Sequence, residues 1–198
     1  MKDALYGGVN AAVLTAMNDD LSIDLDRKAA HSRWLLANGC NGLGVLGTTG
    51  EANSLGISER MTVLEGLVAR GIPAAKMMPG TGTTNLTDTV LLTKHAEASG
   101  CRGALLLPPF YYKGVAEEGV FDYLRAIVEA TADTKVPLYL YHYPALSGVP
   151  YTPELVGRLI EAFPARIVGL KDSSGDLPFE RLLAERHRGF SVFPANEA

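Results

Sequence analysis

Short apolar runs alternate with longer stretches in which apolar residues return every three or four positions, and the alternation continues along the whole chain. The short runs predict strands at 8–15, 42–47 (GLGVLG), 76–82 (KMMPGTG), 103–109 (GALLLPP), 137–143 (PLYLYHY), 167–171 (IVGLK) and 190–194 (FSVFP). The longer stretches predict helices. In SERMTVLEGLVARG, Met61, Leu64, Leu67 and Val68 share a face, with Ser58 placed to cap the start and Gly71 to end it. In EEGVFDYLRAIVEA the same spacing brings Phe121, Leu124, Ile127 and Val128 together. YTPELVGRLI offers Thr152 as N-cap and Pro153 at the first helical position.

Successive strand starts lie 23 to 34 residues apart, the length of one strand-plus-helix unit. Strict alternation of this kind implies a parallel sheet covered by helices. An open doubly wound sheet usually carries a Gly-rich phosphate turn after its first strand. Here that strand is followed by AMNDDLSID, which is no such turn. The fold expected is therefore α/β, a (β/α)8 TIM barrel. Such barrels need about 250 residues, whereas this chain has 198 and seven predicted strands. The expectation is one barrel domain over residues 1–198, truncated after strand seven.

Composition narrows the partners. The chain is 47% hydrophobic and 20% charged, with a formal net charge of -4 and no Lys/Arg cluster. That balance argues against nucleic acid or an anionic membrane as a partner. No signal peptide is evident and no apolar run could span a bilayer, so a cytoplasmic protein is expected. Cys40 and Cys101 show no metal-ligand spacing and read as reduced thiols. P-loop, HExxH and CxxC patterns do not occur, and His31, His95, His142 and His187 are scattered. No metal or cofactor is expected.

In a barrel, chemistry sits where strands end and the following loops begin. Those ends read GTTGE, PPFYYK, YHYPALSGV and LKDSSGD. Along IVGLK, alternation places Ile167, Gly169 and Lys171 on one face, and Val168 and Leu170 on the other. With the aliphatic pair turned to the helices, Lys171 points inward. On 137–143, Tyr139, Tyr141 and Tyr143 share the inward face, so Tyr141 stands beside Lys171. An amine crowded there loses hydration, which favours its neutral, nucleophilic form and attack on a ketone. The resulting imine is an electron sink, a neighbouring tyrosine can shuttle protons, and the hydroxyls and amides of GTTG can hold a carboxylate. Taken singly, each feature has a plainer reading: a solvated lysine, a common Gly/Thr turn, core tyrosines with satisfied hydroxyls. Their fall at one end of consecutive units is what joins them.

These four segments, in this order and spacing, resemble the dihydrodipicolinate synthase / N-acetylneuraminate lyase family of Schiff-base, pyruvate-handling aldolases. The resemblance covers nearly the whole chain. It implies that Lys171 forms the imine with pyruvate and that Tyr141 relays protons. Thr48 joins that relay, while Thr49, with Gly47 beside it in the turn, holds the carboxylate. Tyr111 matches a tyrosine that reaches into a neighbouring subunit, which implies a homo-oligomer, a tetramer. Glu51 closes the motif as a structural residue.

Departures from the family pattern bear on the substrate. The synthase branch has an arginine two residues after the YxxP proline, where this chain has Leu146. A leucine cannot pair with the carboxylate of an aldehyde partner. PALSGV resembles instead the branch that acts on 2-keto-3-deoxy acids, with Ser147 as a substrate hydroxyl contact and Asn196 and Glu197 near substrate hydroxyls. The expected activity is that of a lyase that cleaves or forms a 2-keto-3-deoxy acid from pyruvate and an aldehyde. The alternatives are a 4-hydroxy-tetrahydrodipicolinate synthase without its arginine, and a non-catalytic binder of pyruvate or a sugar acid.

Overall fold

A computed structural model describes residues 7–195. Asn196 and Glu197, read from the sequence as substrate contacts, lie outside them. The strands are β1 (Asn10–Ala12), β2 (Gly42–Gly44), β3 (Ala104–Leu106), β4 (Leu138–His142), β5 (Ile167–Asp172) and β6 (Ser191–Pro194). The helices are α1 (Leu25–Ala37), α2 (Ile57–Ala69), α3 (Leu86–Ala98), α4 (Glu117–Ala130), α5 (Pro144–Ser147), α6 (Pro153–Ala162) and α7 (Leu177–Arg186). All pairings between these strands are parallel.

The segment expected as a strand at 76–82 is extended but not a regular strand. Met78 and Gly80 donate to the Leu43 and Val45 carbonyls of the β2 region, both at 2.9 Å. On its other side Thr81 donates to Leu105, and Leu105 to the Pro79 carbonyl, again at 2.9 Å. Pro79 supplies no N–H, so a rung is missing from the ladder. The segment still lies between β2 and β3 and joins the two sheets. The result is a sequential parallel arc of seven extended segments with the helices outside, the truncated α/β barrel that the alternation predicts.

Apolar side chains divide into two outer groups and one inner group. Leu138, Leu140, Ile167 and Leu170 pack outward beneath Leu124, Leu159 and Leu183 of α4, α6 and α7. Leu43, Val45 and Met77 meet Ala29, Val63 and Leu67 of α1 and α2. The inner group holds Met78, Leu105, Tyr139 and Tyr141, with Val168 and Phe193 against it.

That division corrects the reading of β5. Leu138 pairs with Ile167 but Tyr139 pairs with Gly169, so Val168 is an extra residue at a β-bulge. Ile167 therefore faces the helices and Val168 the interior, the reverse of simple alternation. After the bulge the expected pattern resumes, with Leu170 outward and Lys171 in register with Tyr141. Gly169 makes room for Tyr139 rather than for Lys171. A Cβ there would lie 2.5 Å from the Tyr139 ring, and one on Gly103 would meet its other edge at 2.7 Å. Tyr139 thus fills the interior one layer below the lysine.

The helices agree with the pattern except at α2. Its N-terminal residue is capped by Gly56, whose N–H is taken by the Glu59 carboxylate at 2.8 Å; Ser58 lies inside the helix. Val68 is exposed, and Arg60 takes a place on the buried face. Thr152 caps α6 as read, accepting from Leu155 N–H at 3.1 Å. Cys40 and Cys101 are unpaired, and burial pushes the Cys101 thiol up to about 12. Among the described residues no helix is long and apolar enough to cross a membrane.

Candidate active site

Lys171 and Tyr141 meet because parallel pairing of β4 with β5 puts them in register, and both point inward. The Lys171 ammonium sits over the Tyr141 ring, 4.3 Å from its centroid, an attractive contact of a cation with a π face. The ring is buried, while Lys171 keeps partial contact with solvent. The Tyr141 hydroxyl lies 3.2 Å from Thr48 Oγ1. A basic nitrogen, a phenol and an alcohol thus form one connected group drawn from three strand ends.

Thr48 is delivered by the turn that follows β2. Leu46 and Glu51, at φ 56° and 54°, bracket it in the left-handed region. Non-glycine residues take that conformation only at a cost of about 1 kcal/mol or more each, so surrounding contacts must hold it. Inside the turn, Glu51 N–H donates to the Thr48 carbonyl at 3.0 Å and Ala52 N–H to the Gly47 carbonyl at 3.2 Å. Gly50 presses onto the end of β1, where a Cβ would come within 2.9 Å of the Val13 carbonyl. Thr48 and Thr49 remain exposed.

Behind the turn lies a narrow crevice of about 20 Å³, lined by Gly47, Thr48, Asn53, Arg60, Gly80 and Tyr141 among others. It has room for about one water molecule. Arg60 is almost fully buried; it donates to the Gly80 carbonyl at 2.6 Å, and its Nε has no partner. Burial pulls its pKa down to about 10. Helical spacing gave no sign of this residue, because an arginine in an amphipathic helix reads as solvated.

The other sequence candidates are placed less closely. Tyr111 is 72% exposed on the loop after β3, edge-on to Tyr112 at 5.2 Å. Lys113 anchors that loop by donating to the Phe110 and Ser147 carbonyls. Ser147 is fully buried, and its hydroxyl is engaged with the N–H and carbonyl of Val149 at 3.1 and 3.0 Å. The structure therefore turns Ser147 into its own loop rather than toward the cleft. Leu146, at the position of the arginine, is exposed.

Beyond Lys171 lies a polar cluster that sequence reading missed. Asp172 faces the helices and is fully buried, accepting from Ser174 N–H at 3.1 Å and Ser174 Oγ at 2.8 Å. Asp176 caps α7 by accepting from Phe179 N–H at 3.0 Å. The turn after the lysine is thus pinned at both ends. His142 accepts the Tyr151 N–H at Nδ1, 3.1 Å, and stacks on Phe179. Its Nε2 lies 3.9 Å from Asp172, too far for a hydrogen bond, and burial lowers its pKa. Glu180 of α7 is buried beside Asp172. Burial and that neighbouring carboxylate push it up to about 7. Of these, only His142 follows from the alternation that turns Tyr141 inward, which puts it on the opposite face, where it stacks on Phe179. Among the described residues no group of three or more His, Cys, Asp or Glu could hold a metal.

Comparison with known proteins agrees with this fold. Residues 5–198 match the model of the dihydrodipicolinate synthetase family. A DapA-like lyase of Chloroflexus aurantiacus is 35% identical, over 96% of this chain and 63% of its own length. The crystal structure of dihydrodipicolinate synthase from Agrobacterium tumefaciens superposes with a TM-score of 0.91 at 34% identity. It covers 94% of this chain and 65% of that one. YagE, a prophage protein of E. coli K12 solved in complex with pyruvate, gives 0.86 at 30%, over 96% and 64%. The chain thus spans a little under two thirds of the length of these relatives.

Proposed function

The chain belongs to the dihydrodipicolinate synthetase family, and on that premise we propose that it serves a class I, imine-forming aldolase that joins or splits pyruvate and an aldehyde. The observation that carries this reading is the connected group of Lys171, Tyr141 and Thr48, with the amine over the phenol ring and the two hydroxyls 3.2 Å apart. Lys171 attacks the ketone carbon of pyruvate, and loss of water leaves a protonated imine. A proton then leaves the methyl carbon, and the enamine so formed adds to the aldehyde carbonyl. Hydrolysis returns the lysine and releases the 2-keto acid; cleavage runs the same steps backward. Tyr141 and Thr48 pass protons at the attacking and leaving oxygens. Thr49 and the Gly47–Gly50 amides hold the pyruvate carboxylate.

Leu146 favours a 2-keto-3-deoxy acid over the product of a synthase, since no arginine stands there to receive a second carboxylate. A homo-oligomer, a tetramer as the family resemblance implies, suits the outward display of Tyr111. The test is incubation with pyruvate and borohydride, followed by peptide mass spectrometry. A reduced adduct on Lys171, absent from Lys171→Ala, is expected; an unlabelled, folded protein would leave only the binding-protein reading. Turnover with aspartate semialdehyde against cleavage of a keto-deoxy sugar acid separates the two enzymatic readings.

A further inference from the structure

Lys28 stands on α1 and is fully buried. Both of its hydrogen bonds go to neutral oxygens, the Leu14 carbonyl at 2.7 Å and the Thr15 hydroxyl at 3.2 Å. Thr15 in turn donates to the Gly50 carbonyl at 2.6 Å. An ammonium has no lone pair, so Thr15 must accept from it, which leaves the threonine hydrogen for Gly50. The direction of the relay is therefore fixed from Lys28 to the turn. Burial alone pulls the lysine down to about 8, the mark of a charge held at a cost in stability. A methionine would fill the same space without that cost. A residue that breaks a local rule in this way is expected where a site is being held.

We propose that Lys28 is a positioning residue for the carboxylate turn: through Thr15 it fastens Gly50 to the end of β1 and so keeps Thr48 within reach of Tyr141. The inference rests on the function proposed above for what the turn binds, but not for the fastening itself. Thr15 and Val13 hold Gly50 from the β1 side, by hydrogen bond and by close packing. The internal bonds of the turn do not link it to any strand. Without the lysine, the Thr15 hydroxyl is free to rotate, and one of the ties from the β1 side to the turn is loosened.

The test compares Lys28→Met, Thr15→Val, Thr15→Ser and the Lys28→Met/Thr15→Val pair with the unmodified chain. Amide exchange by mass spectrometry reads residues 46–56, and borohydride trapping reads the pyruvate concentration that half-labels Lys171. Lys28→Met and Thr15→Val should each speed exchange of the Glu51 and Ala52 amides about tenfold and raise the half-labelling concentration about fivefold, the scale of one lost hydrogen bond. The double variant should add little to either, because both act in one chain of bonds. Thr15→Ser keeps the hydroxyl and should match the unmodified chain. Unchanged exchange in both single variants, or fully additive effects, would overturn the proposal. If Lys28→Met fails to fold, Thr15→Val, which keeps the lysine, still decides by exchange. A chain that takes no pyruvate defeats the proposed function alone, since exchange reads the fastening without any ligand.

Discussion

Tyr141 touches two neighbours at once, its ring beneath the Lys171 ammonium and its hydroxyl beside Thr48. Tyr141→Phe separates the two contacts. The ring survives, so pyruvate should still be trapped on Lys171, while turnover falls by about 10²–10⁴ through loss of the proton relay. Equal loss of trapping and turnover would show that the phenol is needed to form the imine itself. Glu180 offers a prediction about pH. Its pKa in the fold, about 7, lies above the ordinary 4.5. The folded chain therefore keeps a proton that the unfolded chain has released, and stability falls as pH rises from about 4.5 through 7. The groups that set this balance are Asp172, with His142 beyond it, and Asp176. Glu180→Gln should melt several degrees higher than the unmodified chain at pH 8, with the gap narrowing as pH falls through 7 and closing only below about pH 4.5. A constant difference across that range would refute the account. Lys171, Tyr141 and Thr48 were legible in the sequence because strand ends are short and punctuated. Asp172 and Glu180 were not, since two acidic residues eight positions apart read as solvated until a helix packs back on its strand. Lys28 and Arg60 stayed hidden for the same reason: a cation in a helix is expected to face water.

The strands and helices themselves followed from periodicity, and their errors have local causes. Pro79 removes one donor, so 76–82 pairs on both sides without becoming a regular strand. The α2 start was set by the Glu59 carboxylate reaching Gly56, a backbone contact that no Ser or Thr announced. On β5 the bulge reversed the facing of Ile167 and Val168, because period-two reasoning assumes an unbroken ladder. Gly169 is where this geometry is most exposed to change. Gly169→Ala would bring a methyl group to 2.5 Å from the Tyr139 ring and 2.7 Å from the Ser191 carbonyl, and the second of these is backbone that cannot swing aside. The expected cost is roughly 1–3 kcal/mol, read as a lower urea midpoint with the slope of the transition unchanged. An unaltered midpoint would mean that Tyr139 yields more easily than its packing between two glycines implies.

For the molecule as a whole, the alternation of strand and helix was sufficient to give the barrel class, since parallel order and outer helices follow from it. The substrate was not legible in this way, because it depends on side chains at loop tips such as Leu146, where no packing rule operates. Protection against exchange should be uneven around the arc. Amides of β4 and β5, paired over five positions and buried at nearly every residue, should exchange slowest, and those of the three-residue β1 much faster. Equal protection in β1 and β4 would contradict that gradient. The extra residue at Val168 also governs how this chain can tolerate change over generations. Any substitution between Ile167 and Gly169 leaves the strand with the same number of positions, so the amine at 171 keeps its heading. A single codon deleted there can be absorbed by loss of the bulge, which leaves the plain alternation of an unbroken strand and the amine still facing inward. A second deletion finds no spare residue and would turn the lysine toward the helices, so one-residue deletions across this segment should keep trapping on the lysine and two-residue deletions should abolish it.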